Sequence, residues 1–246
     1  MIREKQKSDN LLLGYDRKVL QLVEAGEYET ARWVAEESYE YSRNTFGDQH
    51  IETAKTLNNL AWVYDLLGQH KTAERLYSRS VDIKAAVFGE HSLELITTLE
   101  NLTTLYLSGG EYDKSEILLH KMIDIVRHKP EPLCFREAVY LTQLAEIKAQ
   151  QVKNFEAEQL YQKCIAFTER TMPTDHPNLG RAFANMADFY RSLGNCQRAL
   201  FYYKRSLAVL RRSLPAKHPD VRSVGEKIGI LASELNSRHV SNSGNG

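Results

Sequence analysis

Glycine recurs at Gly26, Gly68, Gly110 and Gly194, in steps of 42, 42 and 84 residues, and position 152, where one more is due, holds Val. A fixed period constrains a fold more tightly than composition does, because each period must be one structural unit that packs on copies of itself. Other positions keep the same phase. Small residues follow by five (Ala31, Ala73, Ser115, Ala157, Ala199). Tyr64, Tyr106 and Tyr190 precede by four, with Leu22 and Lys148 as exceptions. Leu60, Leu102, Leu144 and Met186 lie one helical turn further back. Tyr77, Leu119, Tyr161 and Tyr203 share another offset, and so do Ser38, Ser80, Met122, Cys164 and Ser206.

Each period reads as two helices. Leu57, Leu60, Ala61, Tyr64 and Leu67 recur at spacings of three and four, which predicts an amphipathic helix. Gly68 ends it, since glycine accepts the left-handed conformation that closes a helix. Ala73, Leu76, Tyr77 and Val81 then mark a second helix, ending at Phe88-Gly89. No sustained alternation of period two supports strands. The small residues Ala61 and Ala73 let the paired helices approach. One such pair cannot bury both faces, whereas stacked pairs share a continuous core. The expectation is therefore an all-α solenoid with units at 11–52, 53–94, 95–136, 137–178 and 179–220. Residues 221–238 read as a capping helix, with Val221, Val224, Ile228, Leu231 and Leu235 on one face. Residues 1–10 read as a flexible N-terminus and 239–246, rich in Ser, Asn and Gly, as a disordered tail.

The offsets Leu60-Ala61, Tyr64, Gly68, Ala73, Tyr77 and Ser80 resemble the tetratricopeptide repeat (TPR) over nearly the whole chain, which implies a right-handed α-solenoid. Units of 42 residues, against the usual 34, are similar to the kinesin light chain type. So are the joints Phe46-Gly47-Asp48-Gln49-His50, Phe88-Gly89-Glu90-His91, His176-Pro177 and His218-Pro219, and the stretch Thr56-Leu57-Asn58-Asn59-Leu60-Ala61. The fourth unit departs, with Lys148 for tyrosine and Val152 for glycine, and the joint Lys129-Pro130-Glu131-Pro132 predicts an irregular link. The first unit is loose in its first helix. No long heptad segment precedes the repeats, so the resemblance implies a binding module rather than a motor subunit.

The same resemblance implies that the first helix of each unit lines a concave groove that holds a peptide. The residue before the Leu-Ala pair then faces the groove: Asn59, Asn101, Gln143 and Asn185, with Arg17 in the first unit. Amides donate and accept together, so such a ladder suits a peptide backbone; the competing reading is that the amides tie one helix to the next. One turn back come Lys55, Thr97, Val139 and Arg181. Three residues on come Trp62, Thr104, Glu146 and Asp188. The candidate peptide-binding set is Lys55, Asn58, Asn59, Trp62, Asn101, Gln143, Arg181, Asn185 and Asp188; Trp62 reads equally as groove anchor or inter-repeat core. A clamp for a chaperone's terminal carboxylate needs cations at Val139 and Gln143 and is disfavoured. Because the face mixes Lys55 and Arg181 with Glu146 and Asp188, a weakly charged peptide with one or two apolar anchors is expected.

Composition excludes other classes. The 32 basic and 32 acidic residues cancel, leaving no field to hold nucleic acid or anionic lipid. With 42% hydrophobic and 26% charged residues the chain is ordinary for a globular protein. No apolar run suggests a membrane span, and the start MIREKQKSDN lacks the apolar core of a secretory signal. Cys134, Cys164 and Cys196 are far apart and odd in number, which fits a reducing compartment and a cytoplasmic protein. Cys164 reads as a buried structural thiol; Cys196, at a helix start, reads as the more reactive one but has no marked base partner. His50, His176 and His218 share a joint offset and read as turn or helix-cap residues rather than metal ligands. Arg205, Arg211, Arg212 and Lys217 read as a solvated basic face. No cofactor, metal or catalytic residue is implied. The expected function is a non-enzymatic adaptor or scaffold that binds a protein or peptide partner. The alternatives are a self-associating scaffold, forming homo-oligomers through the fourth unit or an open end, and a peptide-sensing regulatory module.

Overall fold

The computed structural model describes residues 2–127 and 134–243, and over these it contains helices joined by short turns. The Pro-rich joint at 129–132, Met1 and the last three residues lie outside the described residues. The chain divides into two compact units, one through Ile125 and the other from Val126.

The first unit holds α1 (Ile2–Glu24), α2 (Tyr28–Phe46), α3 (Ile51–Leu66), α4 (His70–Phe88), a short 3-10 turn (Leu93–Leu95), α5 (Ile96–Ser108) and nearly all of α6 (Tyr112–Arg127). The second holds α7 (Cys134–Gln150), α8 (Asn154–Thr171), α9 (Pro177–Ser192), α10 (Cys196–Ser213) and α11 (Pro219–Ser243). Helix thus extends into both terminal stretches that composition alone leaves unstructured. Packing is sequential: α1 on α2, α2 on α3, α3 on α4 and α4 on α5 in one unit, α7 through α11 in the other. First helices of adjacent hairpins also touch, α3 against α5 and α7 against α9. Each unit is a stack of antiparallel helix pairs, the α-solenoid the period predicts.

Three recurrent devices explain why these residues take this form. The first is the hairpin turn. After α3, Gln69 N–H donates to Tyr64 C=O at 2.9 Å and Gly68 N–H to Asp65 C=O at 2.8 Å, with Gly68 at φ +72°. This pair of hydrogen bonds is the helix-closing motif that favours a left-handed glycine, and it repeats at Gly26, Gly110 and Gly194. At the fourth hairpin the same pair of bonds forms with Val152 at φ +61°. The turn survives a side chain that disfavours it.

The second device is a helix start capped by imidazole. Nδ1 of His50, His176 and His218 each accepts the backbone N–H two residues on, at 3.2 Å. This is the role Ser or Asp plays at most helix starts. The third is a bond across the hairpin. Ser80 and Ser206 hydroxyls donate to the C=O of Ala54 and Gly180, both at 2.7 Å, and Cys164 Sγ donates to Ala138 C=O at 3.3 Å. The shared offset is thus explained: a small donor pins the second helix onto the first. Ser38 keeps the offset, but its buried hydroxyl has no partner among the described residues. Gly180 marks a close approach of α9 to α10. A Cβ placed there would lie 2.6 Å from Leu210 Cγ and Cδ2.

The core follows the period. Ala31, Ala61, Ala73, Ala157, Ala187 and Ala199 are fully buried, as are Tyr77 and Tyr203. The tyrosines four residues before each turn instead reach out to a glutamate on the preceding hairpin's second helix. Tyr64 donates to Glu36 (2.6 Å), Tyr106 to Glu74 (2.8 Å) and Tyr190 to Glu158 (2.6 Å). Burial, then the carboxylate, pushes Tyr106 and Tyr190 up to about 12. Lys148, at this offset in the fourth hairpin, pairs instead with Glu156 of its own hairpin at 3.3 Å.

Candidate functional site

The amide ladder takes a different form in each unit. In the first unit it is a closed chain of hydrogen bonds. Asn101 Nδ2 donates to Asn58 Oδ1 (3.2 Å), Asn58 Nδ2 to Asn59 Oδ1 (3.4 Å) and Asn59 Nδ2 to Asp16 Oδ1 (2.7 Å). These amides tie α5 to α3 and α3 to α1. Burial raises the Asp16 pKa, partly opposed by the Asn59 bond. Asp16 was not among the sequence candidates. Its signal is that it stands 43 residues before Asn59, as Asn58 stands 43 before Asn101.

In the second unit the residue at that acceptor position, 43 before Asn185, is Thr142. Its hydroxyl donates to Ala138 C=O at 3.0 Å and lies 3.4 Å from Cys164 Sγ. The Thr142 hydroxyl is thus turned to its own helix and to α8 rather than to α9, and neither Asn185 nor Gln143 forms a hydrogen bond among the described residues. Both half-buried amides line a pocket of about 260 Å³ between α7 and α9. Ala138, Val139, Thr142 and Ala182 also line it, with Cys164 from α8, Phe135 towards one end and Glu146 a turn beyond Gln143. Val139 and Phe135 are 48% and 41% exposed, so this apolar surface is open. Glu146 is exposed at the rim, with desolvation on its pocket side raising its pKa, and it makes no ion pair or hydrogen bond among the described residues. Burial raises the pKa of Cys164. The structure gathers Gln143, Asn185 and Arg181 of the predicted set at one place.

The remaining candidates, and Arg181 itself, are engaged. Trp62 is half-buried at the junction of two apolar clusters, one with Leu22, Leu60 and Val63, the other with Ala61, Leu102 and Leu105. Lys55 pairs with Glu52 one turn away at 2.9 Å. Arg181 Nε donates to Asp220 at 2.8 Å and Nη1 to Asn178 at 2.9 Å. Asp188 accepts from the Tyr203 hydroxyl and, at 2.7 and 2.8 Å, from Lys227 of α11. Lys227 stands 42 residues after Asn185, so α11 carries the ladder position one step on and closes the last carboxylate with a cation.

Among the described residues no cluster of His, Cys, Asp and Glu is disposed to hold a metal, and no helix is long and apolar enough to cross a membrane. Cys196, expected to be the more reactive thiol, is buried.

A stack of period-42 helix hairpins with left-handed closing turns defines a helical-repeat protein. The tetratricopeptide repeat family model matches residues 17–86, 66–127 and 136–212, and the chain belongs to that family. Its fold is shared by the nearly identical TPR-like repeats of kinesin light chain type from Podosopora anserina, at 18% identity over 82% of this chain and 96% of that one, with a TM-score of 0.70. BtubC (BKLC) from P. vanneervenii is similar at 16% identity over 89% and 86% of the two chains, also with a TM-score of 0.70. MamA from Desulfovibrio magneticus is similar at 10% identity over 82% and 96%, with a TM-score of 0.55. No curated protein sequence matches the chain. Repeats of this family generally mediate protein–protein interaction or scaffolding.

Proposed function

We propose that this chain is a non-catalytic adaptor that takes an extended segment of a partner protein along the first helices of its hairpins, with the α7–α9 pocket as the anchoring point. One observation carries the reading. Gln143 and Asn185 offer unengaged amides beside an open apolar floor, whereas the equivalent amides of the first unit are consumed in helix-to-helix bonds. An unengaged amide can accept from one peptide N–H and donate to the next C=O, independent of side-chain sequence. Stacked helices hold the pair in place beforehand, so little ordering entropy is lost on binding.

Selection from a displayed random dodecapeptide library tests this. Enriched peptides are expected to lose at least tenfold in affinity against the Gln143→Ala/Asn185→Ala variant, with unchanged circular dichroism. Replacing Asn59 and Asn101 by Ala is expected to lower thermal stability while binding persists. No enrichment, or equal affinity for wild type and the Gln143/Asn185 variant, refutes the proposal.

A further inference from the structure

The pocket between α7 and α9 carries an uncompensated negative charge. Its cation, Arg181, is neutralised by Asp220 at 2.8 Å and further bonded to Asn178 at 2.9 Å. Nearby Asp188 is neutralised by Lys227, and Lys148 by Glu156. Glu146 alone has no counter-ion among the described residues. It lies seven residues beyond Val139 on α7, so it is displaced from the apolar floor by about 10 Å along the helix axis. Side chains two apart in an extended peptide point the same way at a separation of about 6.8 Å, and the flexible stem of Lys or Arg spans the remaining few ångströms.

Resting on the reading above, we infer that the pocket selects an extended segment in which an apolar side chain is followed or preceded, two residues away, by Lys or Arg. The apolar side chain sits on Ala138, Val139 and Ala182, between Gln143 and Asn185. The cation then reaches Glu146. An acidic residue in its place would bring two carboxylates together, and like charges repel. The sequence pattern predicted a weakly charged ligand because it counted Arg181 and Asp188 as free charges.

The probe is fluorescein-labelled Gly-Xaa-Ser-Leu-Ser-Xaa-Gly amide, symmetric about Leu so that either chain direction is served, with Xaa as Lys, Gln or Glu. Fluorescence anisotropy with the full chain is expected to rank Lys above Gln by about two- to fivefold and Gln above Glu. In Glu146→Gln the three are expected to converge, while Gln143→Ala/Asn185→Ala weakens all of them alike. The Lys preference should also fade as acid protonates Glu146, beginning above the ordinary carboxylate range, and shrink with added salt. Equal binding of the three probes that still depends on Gln143 and Asn185 overturns this inference and leaves the groove reading standing. Lys selectivity that persists in Glu146→Gln also overturns it. Failure of every probe to bind at millimolar concentration counts against both.

Discussion

Replacing Val152 by Gly should make this protein more stable, although glycine usually weakens a fold. Val152 sits at φ +61° in a turn whose two closing bonds match those at Gly68 and Gly194. A left-handed residue with a Cβ costs roughly 1–2 kcal/mol, and a β-branched one falls at the upper end. Glycine removes that cost but gains freedom in the unfolded chain, a penalty of roughly 0.4–1 kcal/mol. Packing does not alter the balance, because Val152 is 77% exposed. The net expectation is a gain of about 1 kcal/mol, or about 2–4 °C in Tm for a chain of this size. Urea denaturation followed by circular dichroism reads it as a higher midpoint at constant slope. Val152→Asn should gain less, and Gly110→Val should lose at least about 1 kcal/mol, having a similar turn and the opposite change. A lower midpoint for Val152→Gly would refute the reasoning, since it would mean that the valine conformation is not strained.

Three further outcomes follow from the same geometry. Gly180→Ala should cost roughly 1–3 kcal/mol by overpacking against Leu210, and Leu210→Val should recover part of it; additive losses in thermal melts would count against a direct clash. His176→Ala should lose about 1 kcal/mol by uncapping α9, whereas His176→Asn, which retains an acceptor, should keep most of the stability; equal losses would dismiss the cap. Lys84 is buried with Thr98 Oγ1 at 2.7 Å as its bonded partner, and burial lowers its pKa. Below that folded pKa the desolvation cost is present in full. It is relieved as pH rises towards about 10.5, the ordinary lysine value, because the unfolded chain then binds more protons than the folded one. Wild type should therefore gain stability in alkaline urea titrations, and Lys84→Met should abolish the gain while being neutral or stabilising at pH 7.

The amide ladder shows how far a shared offset informs. Position in the period announced that Asn59, Asn101, Gln143 and Asn185 are equivalent, and the backbone makes them so. Their engagement depends on a different position. Asp16 and Asn58 present an acceptor to the next helix, while Thr142 turns its hydroxyl to Ala138 and Cys164. Trp62 and Asp188 share a second offset, yet one fills the seam between hairpins and the other is closed by Tyr203 and Lys227.

What the residue order determined by itself was the repeating unit: its length, its two helices, the left-handed turn, the small side chains at the hairpin seam and the histidine-bearing joints. These are local matters, governed by helical periodicity and backbone sterics, which neighbouring residues can encode. Tertiary structure alone decided which polar groups were consumed and which stayed free. A hydrogen bond between residues 43 apart depends on the angle and height at which one helix lies on another, set by packing such as that of Leu210 against Gly180. The free amides and unpaired carboxylate between α7 and α9 are what remains after those bonds are made.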